Sequence, residues 1–233
     1  MVETSVIIAV RNGGRFLGEA IRSVLAQISA VDELIVVDDG STDDSARIAA
    51  AFADARVRSI RLDASGASAA RNRGVSAARG RFFAFLDHDD LWPPERHKRL
   101  IEALGRNRDA GASYGRIRVV EEEDVPIRGG WAHLDARHLV TNMSSALYRA
   151  EPVRSSGGFC ESMIFGEDAD LQLRLLENGL DPVRCDCDSL IYRRHGRNAT
   201  NDTAGVRRAL IMVARRKRDR AARTGSAAGG AGD

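Results

Sequence analysis

One stretch of the chain joins an apolar run directly to an acidic cluster: Phe82-Phe83-Ala84-Phe85-Leu86-Asp87-His88-Asp89-Asp90. The five apolar residues are typical of a strand that is buried on both faces. The polar residues that follow them end the strand. Because ligands of open α/β sheets bind outside the carboxyl ends of the strands, the position of this cluster predicts a ligand site.

Three earlier segments show the same alternation of strand and helix. Apolar runs predict strands at 5–10, 34–37 and 57–62, and helical faces follow at 16–25, 46–52 and 67–78, the last interrupted or ended at Gly74. This alternation predicts an α/β fold with a doubly wound, mostly parallel sheet. The second half is less regular, with predicted strands at 114–120, 143–148, 183 and 190–192, and helices around 100–104 and 171–176.

Composition sets limits on the class of protein. With 233 residues, 43% hydrophobic and 29% charged, the chain is long enough for one full-sized soluble domain. A net charge of +2 gives no case for nucleic-acid binding, and no aromatic residues accompany the arginines of the basic stretch 206–224. The segment 225–233 is rich in Gly and Ala, which predicts disorder.

The cysteines and the absence of leader-like features indicate a cytoplasmic protein. Three cysteines do not form a disulfide framework, and Cys185-x-Cys187 lacks the second Cys/His pair of a zinc site. We see neither a signal-peptide pattern nor an apolar run long enough to span a membrane.

Further polar groups are candidates for ligand binding or catalysis. Asp87 and Asp89 could share a divalent cation, since hard oxygen ligands suit Mg²⁺ or Mn²⁺. In the cluster 38–43, Asp39 could bind a ribose or a base, and Asp43 could cap the next helix. Glu167-Asp168 could supply a general base or simply complement a helix dipole. The alternative for each cluster is a solvated loop or a helix cap.

Six short motifs, taken in order, resemble the family 2 glycosyltransferases with the GT-A fold. They are Ser5–Asn12, Val36–Asp43, Gly66 with Ala70-Arg71-Asn72-Arg73-Gly74, Phe85–Asp90, Gly157-Gly158-Phe159, and Gly166-Glu167-Asp168 with Leu171 and Arg174. The likeness covers residue 4 to about residue 200. It implies one domain over 1–205, with a nucleotide-binding half at 1–92 and an acceptor-side half at 93–205.

The resemblance also implies roles for individual residues. Asp168 would be the catalytic base and Glu167 would orient the acceptor. The expected nucleotide-sugar-binding residues are Ala9, which stands where the family usually has proline, Arg11, Asp39 with Arg71 beside it, and Asp87. A Mg²⁺ or Mn²⁺ cofactor would be held by Asp89 and by a late histidine, His195.

The implied function is inverting transfer of a sugar from a nucleotide-diphosphate donor, by default a UDP-sugar, to an acceptor hydroxyl. The acceptor would be a carbohydrate, a lipid-linked molecule or a small molecule, in polysaccharide or glycolipid assembly at the cell surface. Alternatives are glycosylation of a small metabolite or peptide, and a nucleotide-sugar-binding pseudoenzyme. A nucleotidyltransferase would need a Gly-rich basic loop after the first strand. A dehydrogenase would need the motif G-x-G-x-x-G, and Gly13, Gly14 and Gly18 do not form it.

The basic stretch 206–224 has two interpretations. It could be a solvated helix or tail, because runs of charge are often merely solvated. As an amphipathic basic helix it could instead make peripheral contact with an anionic membrane, at the inner face.

Overall fold

The computed structural model describes residues 2–121, 133–134 and 142–228. Its helices are α1 Gly14–Leu25, α2 Ser45–Ala50, α3 Ala67–Ala77, α4 Arg96–Arg106, α5 Ala150–Ser155, α6 Glu167–Glu177 and α7 Thr203–Ala228. Its strands are β1 Thr4–Val10, β2 Glu33–Asp39, β3 Val57–Leu62, β4 Phe82–Asp87, β5 Ala112–Glu121, β6 His133–Leu134, β7 Ala146–Arg149 and β8 Pro182–Arg194. The predicted disorder at 229–233 concerns residues outside those described.

Within the described residues, eight strands form one sheet in the order β3-β2-β1-β4-β7-β5-β6, and β8 pairs with β5. The first four in this order are parallel to one another. Strand β7 runs antiparallel to both β4 and β5, whereas β8 is parallel to β5. The predicted fold class, an α/β fold with a doubly wound and mostly parallel sheet, is confirmed.

The two faces of the sheet carry separate apolar cores because alternate side chains of each strand point to opposite faces. On one face, Val6 and Ile8 of β1 pack with residues of α1 and α4 such as Leu17 and Leu100. On the other, Ile7 belongs to a core that includes residues of α3, α5 and α6. Helices therefore cover both faces of the sheet.

Helix α3 corrects one prediction, because it continues through Gly74 to Ala77. A Cβ at Gly74 would lie 2.5 Å from Cγ2 of Ile7 in β1. Glycine here lets the helix backbone approach the central strand. The residue marks close packing of helix on sheet, not the end of the helix.

Strand β8 corrects a second prediction, since one strand of 13 residues replaces the two short strands expected. Charged side chains at 184, 186 and 188 alternate with less exposed ones and interrupt the apolar pattern. Two of them, Asp186 and Asp188, pair across the sheet with Arg116.

Two smaller differences concern the ends of elements. The strand expected at 143–148 begins only at Ala146, after a 3₁₀ turn over Met143–Ser145. Helix α7 extends to Ala228, into the segment predicted to be disordered. None of the described helices contains an apolar stretch long enough to cross a bilayer.

Candidate active site

The candidate site lies at the carboxyl edge of the parallel strands. Ala9 of β1 is the register partner of Asp87 in β4, and Arg11 follows β1 with an exposed side chain. From β1 the chain proceeds to β2 on one side, while β4 lies on the other side of β1. The strand order therefore reverses at β1, and α/β sheets open a crevice for ligands at such a reversal.

The loops after β1 and β2 are tied to each other at this edge. The amide of Gly14 donates to Asp43 Oδ2 at 3.0 Å, and the amide of Asn12 donates to Ser41 Oγ at 3.0 Å. Asp43 Oδ1 also accepts from the amide of Ser45, the first residue of α2. The Asp43 carboxylate thus accepts hydrogen bonds both from the first turn of α2 and from the loop after β1.

Asp39, at the end of β2, uses its carboxylate on the backbone. Oδ1 accepts from the amide of Ser65 at 2.6 Å and Oδ2 from the amide of Gly66 at 2.9 Å. The residue is 2% exposed. These bonds fix the loop that enters α3, where Gly66 takes a φ of 97°. Because each carboxylate oxygen can accept a second bond, Asp39 keeps some capacity for a ligand.

Arg71 on α3 joins the end of β4 to the first turn of α6. Its Nη2 donates to Asp87 Oδ1 at 2.8 Å, and its Nη1 donates to Glu167 Oε1 at 2.7 Å. The ion pairs of Arg71 are with Asp87, Glu167 and Asp168, and its expected role beside Asp39 at the nucleotide stays a prediction. The hydrogen bond between Arg71 and Glu167 connects residues that are 96 positions apart in sequence.

Asp168 occupies the first turn of α6 and is largely enclosed, with 18% of its side chain exposed. Its Oδ1 lies 3.7 Å from Arg71 Nη1 and has no hydrogen-bond partner among the described residues. Burial raises the pKa of Asp168 to about 7, opposed by Arg71 and reinforced by the carboxylates of Glu167 and Asp87. A carboxylate with this pKa is suited to accept a proton near neutral pH.

Asp89, after β4, and His195, directly after β8, lie together. His195 Nε2 is 3.0 Å from Asp89 Oδ2, and the imidazole stacks on Phe16 with ring centroids 4.6 Å apart. The amide of Arg197 donates to His195 Nδ1 at 3.2 Å. Asn198 Nδ2 lies 3.3 Å from Asp89 Oδ2 and 3.4 Å from His195 Nε2, so Asn198 belongs to the same network.

The two residues predicted to bind metal are thus in direct contact with each other. A histidine that ligates a metal through Nε2 normally donates its other N–H to an acceptor, whereas Nδ1 of His195 receives a hydrogen. Asp89 offers a carboxylate with 16% of its side chain exposed, and Mg²⁺ is usually held by one or two carboxylates plus substrate phosphates. The Asp89 carboxylate suits a Mg²⁺ or Mn²⁺ ligand, and the metal-binding role of His195 stays a prediction.

Asp90 and Arg193 form a network that sequence reasoning missed. Asp90 is fully buried, and its Oδ1 accepts from the amide of Arg193 at 2.9 Å. Burial, together with Asp89 and Asp87, raises the pKa of Asp90 well above its usual value. The Arg193 guanidinium, 5% exposed, donates to the carbonyl of Asp89 and to Glu19 on α1. Strand β8 therefore holds the loop after β4.

The fold and the site define an α/β domain of the nucleotide-sugar-transferase (GT-A) type, with acidic groups at the carboxyl edge and a buried aspartate on a facing helix. The chain belongs to glycosyl transferase family 2, whose family model matches residues 5–159. The match includes the ends of β1, β2 and β4, and it stops before Glu167 and Asp168.

Two bacterial relatives are each similar to part of the chain. The succinoglycan biosynthesis protein ExoO of Rhizobium meliloti is 44% identical over 101 residues, which is 43% of this chain and 29% of that protein. An uncharacterized glycosyltransferase of Rickettsia prowazekii is 36% identical over 148 residues, covering 64% of this chain and 40% of that protein. The chain thus spans well under half the length of these relatives.

Solved structures show the same fold. S. aureus TarS 1–349 in complex with UDP-GlcNAc aligns with a TM-score of 0.72, covering 86% of this chain and 61% of that one, at 18% identity. The complex of the same protein with UDP covers 83% of this chain with a TM-score of 0.69 at 19% identity.

Proposed function

We propose that this chain transfers a sugar from a nucleotide-diphosphate donor, by default a UDP-sugar, to an acceptor hydroxyl with inversion at the anomeric carbon. The observation that carries the proposal is the position of Asp168. This carboxylate, with a pKa raised to about 7, lies across Arg71 from Asp87 at the sheet edge. The UDP and UDP-GlcNAc complexes of TarS support a nucleotide-sugar as the donor.

In this mechanism Asp168 takes the proton of the acceptor hydroxyl as its oxygen attacks the anomeric carbon. The C–O bond to the diphosphate breaks, and the leaving group departs on the opposite side, which inverts the configuration. Arg71 keeps Asp87, Glu167 and Asp168 within one cluster, so the donor and acceptor sides are preorganised. Glu167 is held by Arg71 and would orient the acceptor.

A divalent cation has a place in this proposal at Asp89. Mg²⁺ or Mn²⁺ held there would offset the negative charge that develops on the departing diphosphate. His195, by donating to Asp89, would orient that carboxylate, as groups behind a metal ligand commonly do. Ala9, Arg11 and Asp39 lie at or just after the ends of β1 and β2, where the nucleotide would bind.

Assembly of a cell-surface polysaccharide or glycolipid is the proposed setting. The similarity to ExoO, named for succinoglycan biosynthesis, supports a polysaccharide as product. We expect the segment 121–142, which includes Trp131, to border the acceptor cleft, and most of this segment lies outside the described residues.

Replacing Asp168 with asparagine tests the proposal. Asp168→Asn removes the proton acceptor but keeps the shape of the side chain, so transfer should fall by roughly 10²–10⁴-fold. Donor binding should persist, measured as the rise in melting temperature with UDP-sugars and Mn²⁺. Glu177→Gln, on the last turn of the same helix, serves as the control. Equal turnover of the Asp168→Asn variant and the unchanged chain would remove Asp168 from this role.

A further inference from the structure

Helix α7 is held against α6 in a fixed orientation by a buried carboxylate. Asp170 is fully buried, and it accepts from Arg174 at 2.9 Å, from Arg216 at 3.0 Å and from Arg220 at 3.1 Å. The last two arginines belong to α7, and Arg220 also pairs with Glu177 at 2.7 Å. These bonds determine which face of α7 packs on the protein.

The first half of α7 packs beside the candidate active site. A Cβ at Gly166, directly before Glu167, would lie 3.1 Å from Ala209 Cβ and 3.3 Å from Val213 Cγ2. The opposite face of α7 is separated from this contact by about one helix diameter, ~10 Å. A surface contacted by that outer face would therefore lie close to the end of α6 that carries Asp168.

The outer face of α7 combines apolar and cationic side chains. Six large apolar side chains are exposed in the described parts of the chain. Four of them lie on α7 or on the loop that packs against it: Ile164 at 85%, Leu210 at 56%, Ile211 at 50% and Met212 at 39%. Exposed basic side chains lie on the same helix: Arg207, Arg208, Arg215, Lys217 and Arg218. We refer to these nine residues as the α7 outer surface.

We propose that the α7 outer surface binds an anionic lipid bilayer and so presents the active site to a lipid-linked acceptor. Apolar side chains insert at the boundary of headgroups and acyl chains, while arginine and lysine contact lipid phosphates. Charge complementarity favours this occupant, since Asp219 is the one acidic residue within residues 203–228. The choice of acceptor rests on the proposed function; binding of the bilayer does not.

Co-sedimentation of the 233-residue chain with vesicles tests the inference. Vesicles of phosphatidylcholine with about a third phosphatidylglycerol should bind the chain, and pure phosphatidylcholine vesicles should not, because each cation near an anionic surface strengthens binding about fivefold. Two variants should each lower the vesicle partition coefficient about tenfold or more. One carries Leu210→Ser and Ile211→Ser, and the other carries Arg215→Gln, Lys217→Gln and Arg218→Gln. Binding should also weaken as salt rises.

A matched control changes one apolar and one basic residue elsewhere. Val31→Ser with Arg106→Gln alters exposed side chains of the same kinds at the opposite edge of the sheet and should leave vesicle binding unchanged. Circular dichroism verifies that each variant is folded. Donor hydrolysis without vesicles separates the two proposals, because α7 variants should retain it even if bilayer binding is lost.

Three results would overturn the inference. They are equal binding to neutral and anionic vesicles, no binding to either, and self-association in light scattering that the α7 variants abolish. The last would assign the surface to a second copy of the chain.

Discussion

Arg71 Nη1 and Asp168 Oδ1 lie 3.7 Å apart, near enough for an ion pair and too far for a hydrogen bond. The hydrogen bonds of Arg71 go instead to Asp87 and Glu167. Asp168 is thus influenced by the positive charge, while its buried Oδ1 makes no hydrogen bond to any described residue. This combination suits a group that must release and accept a proton in each turnover.

Removing the charge of Arg71 should change the pH dependence of the reaction. Arg71 lowers the pKa of Asp168, so Arg71→Gln should raise it and move the acidic limb of kcat/KM from near pH 7 to higher pH by about one unit or more. Arg71→Lys keeps the charge and should leave the limb near its original position while lowering kcat. A pH–rate profile of the three proteins gives the answer, and identical limbs in all three would contradict the expectation.

Asp168 should also lower the stability of the folded chain at neutral pH. Its folded pKa of about 7 exceeds the ordinary value, so the folded state binds more protons and loses stability as pH rises from about 4 to 7. Asp168→Asn removes this ionisation and should raise the free energy of unfolding by about 1–3 kcal/mol at pH 8. Urea denaturation at pH 8 and pH 4.5 should show the gain shrinking at the lower pH.

The carboxylate of Asp170 should be among the most important for stability. Burial acts against its ionised form, yet the bonds from Arg216 and Arg174 hold the pKa of Asp170 below its usual value. Asp170→Asn should destabilise the chain by about 3 kcal/mol, because it removes the buried counter-charge of three partly exposed arginines on α6 and α7.

The comparison variant is Glu177→Gln, which should cost less than about 1 kcal/mol because Glu177 is 30% exposed. Urea denaturation at pH 7 measures both variants. Similar losses of unfolding free energy in Asp170→Asn and Glu177→Gln would contradict the prediction, because burial would then not distinguish the two carboxylates. The effect of Asp170 should fade as pH falls through its lowered pKa, since stability from a depressed carboxyl pKa is present only above it.

The parallel half of the sheet could be predicted because its strands are continuous apolar runs. Residues 82–86, for example, are apolar throughout, which identifies a strand buried on both faces. Strand β8 could not be found in this way, since charged side chains alternate along its first half. Its pairing with β5 is a tertiary contact that no local pattern contains.

The contacts within the site were less accessible to sequence reasoning than its members. Asp87, Asp89 and Asp168 were selected by their places after strands or before a helix, whereas the position of Arg71 depends on α3 and α6 meeting in the fold. The role of Arg193 could not be predicted locally, because its partners Glu19 and the carbonyl of Asp89 are more than a hundred residues away in sequence.

The dependence of Asp90 on Arg193 also determines when the site can be completed during synthesis. Asp90 Oδ1 receives its hydrogen bond from an amide made 103 residues later. While the ribosome has released the first four parallel strands but not the end of β8, the loop bearing Asp87 and Asp89 lacks its support. A nascent chain can therefore assemble the parallel half of its sheet early, yet the loop after β4 gains this support only after residue 193 has emerged.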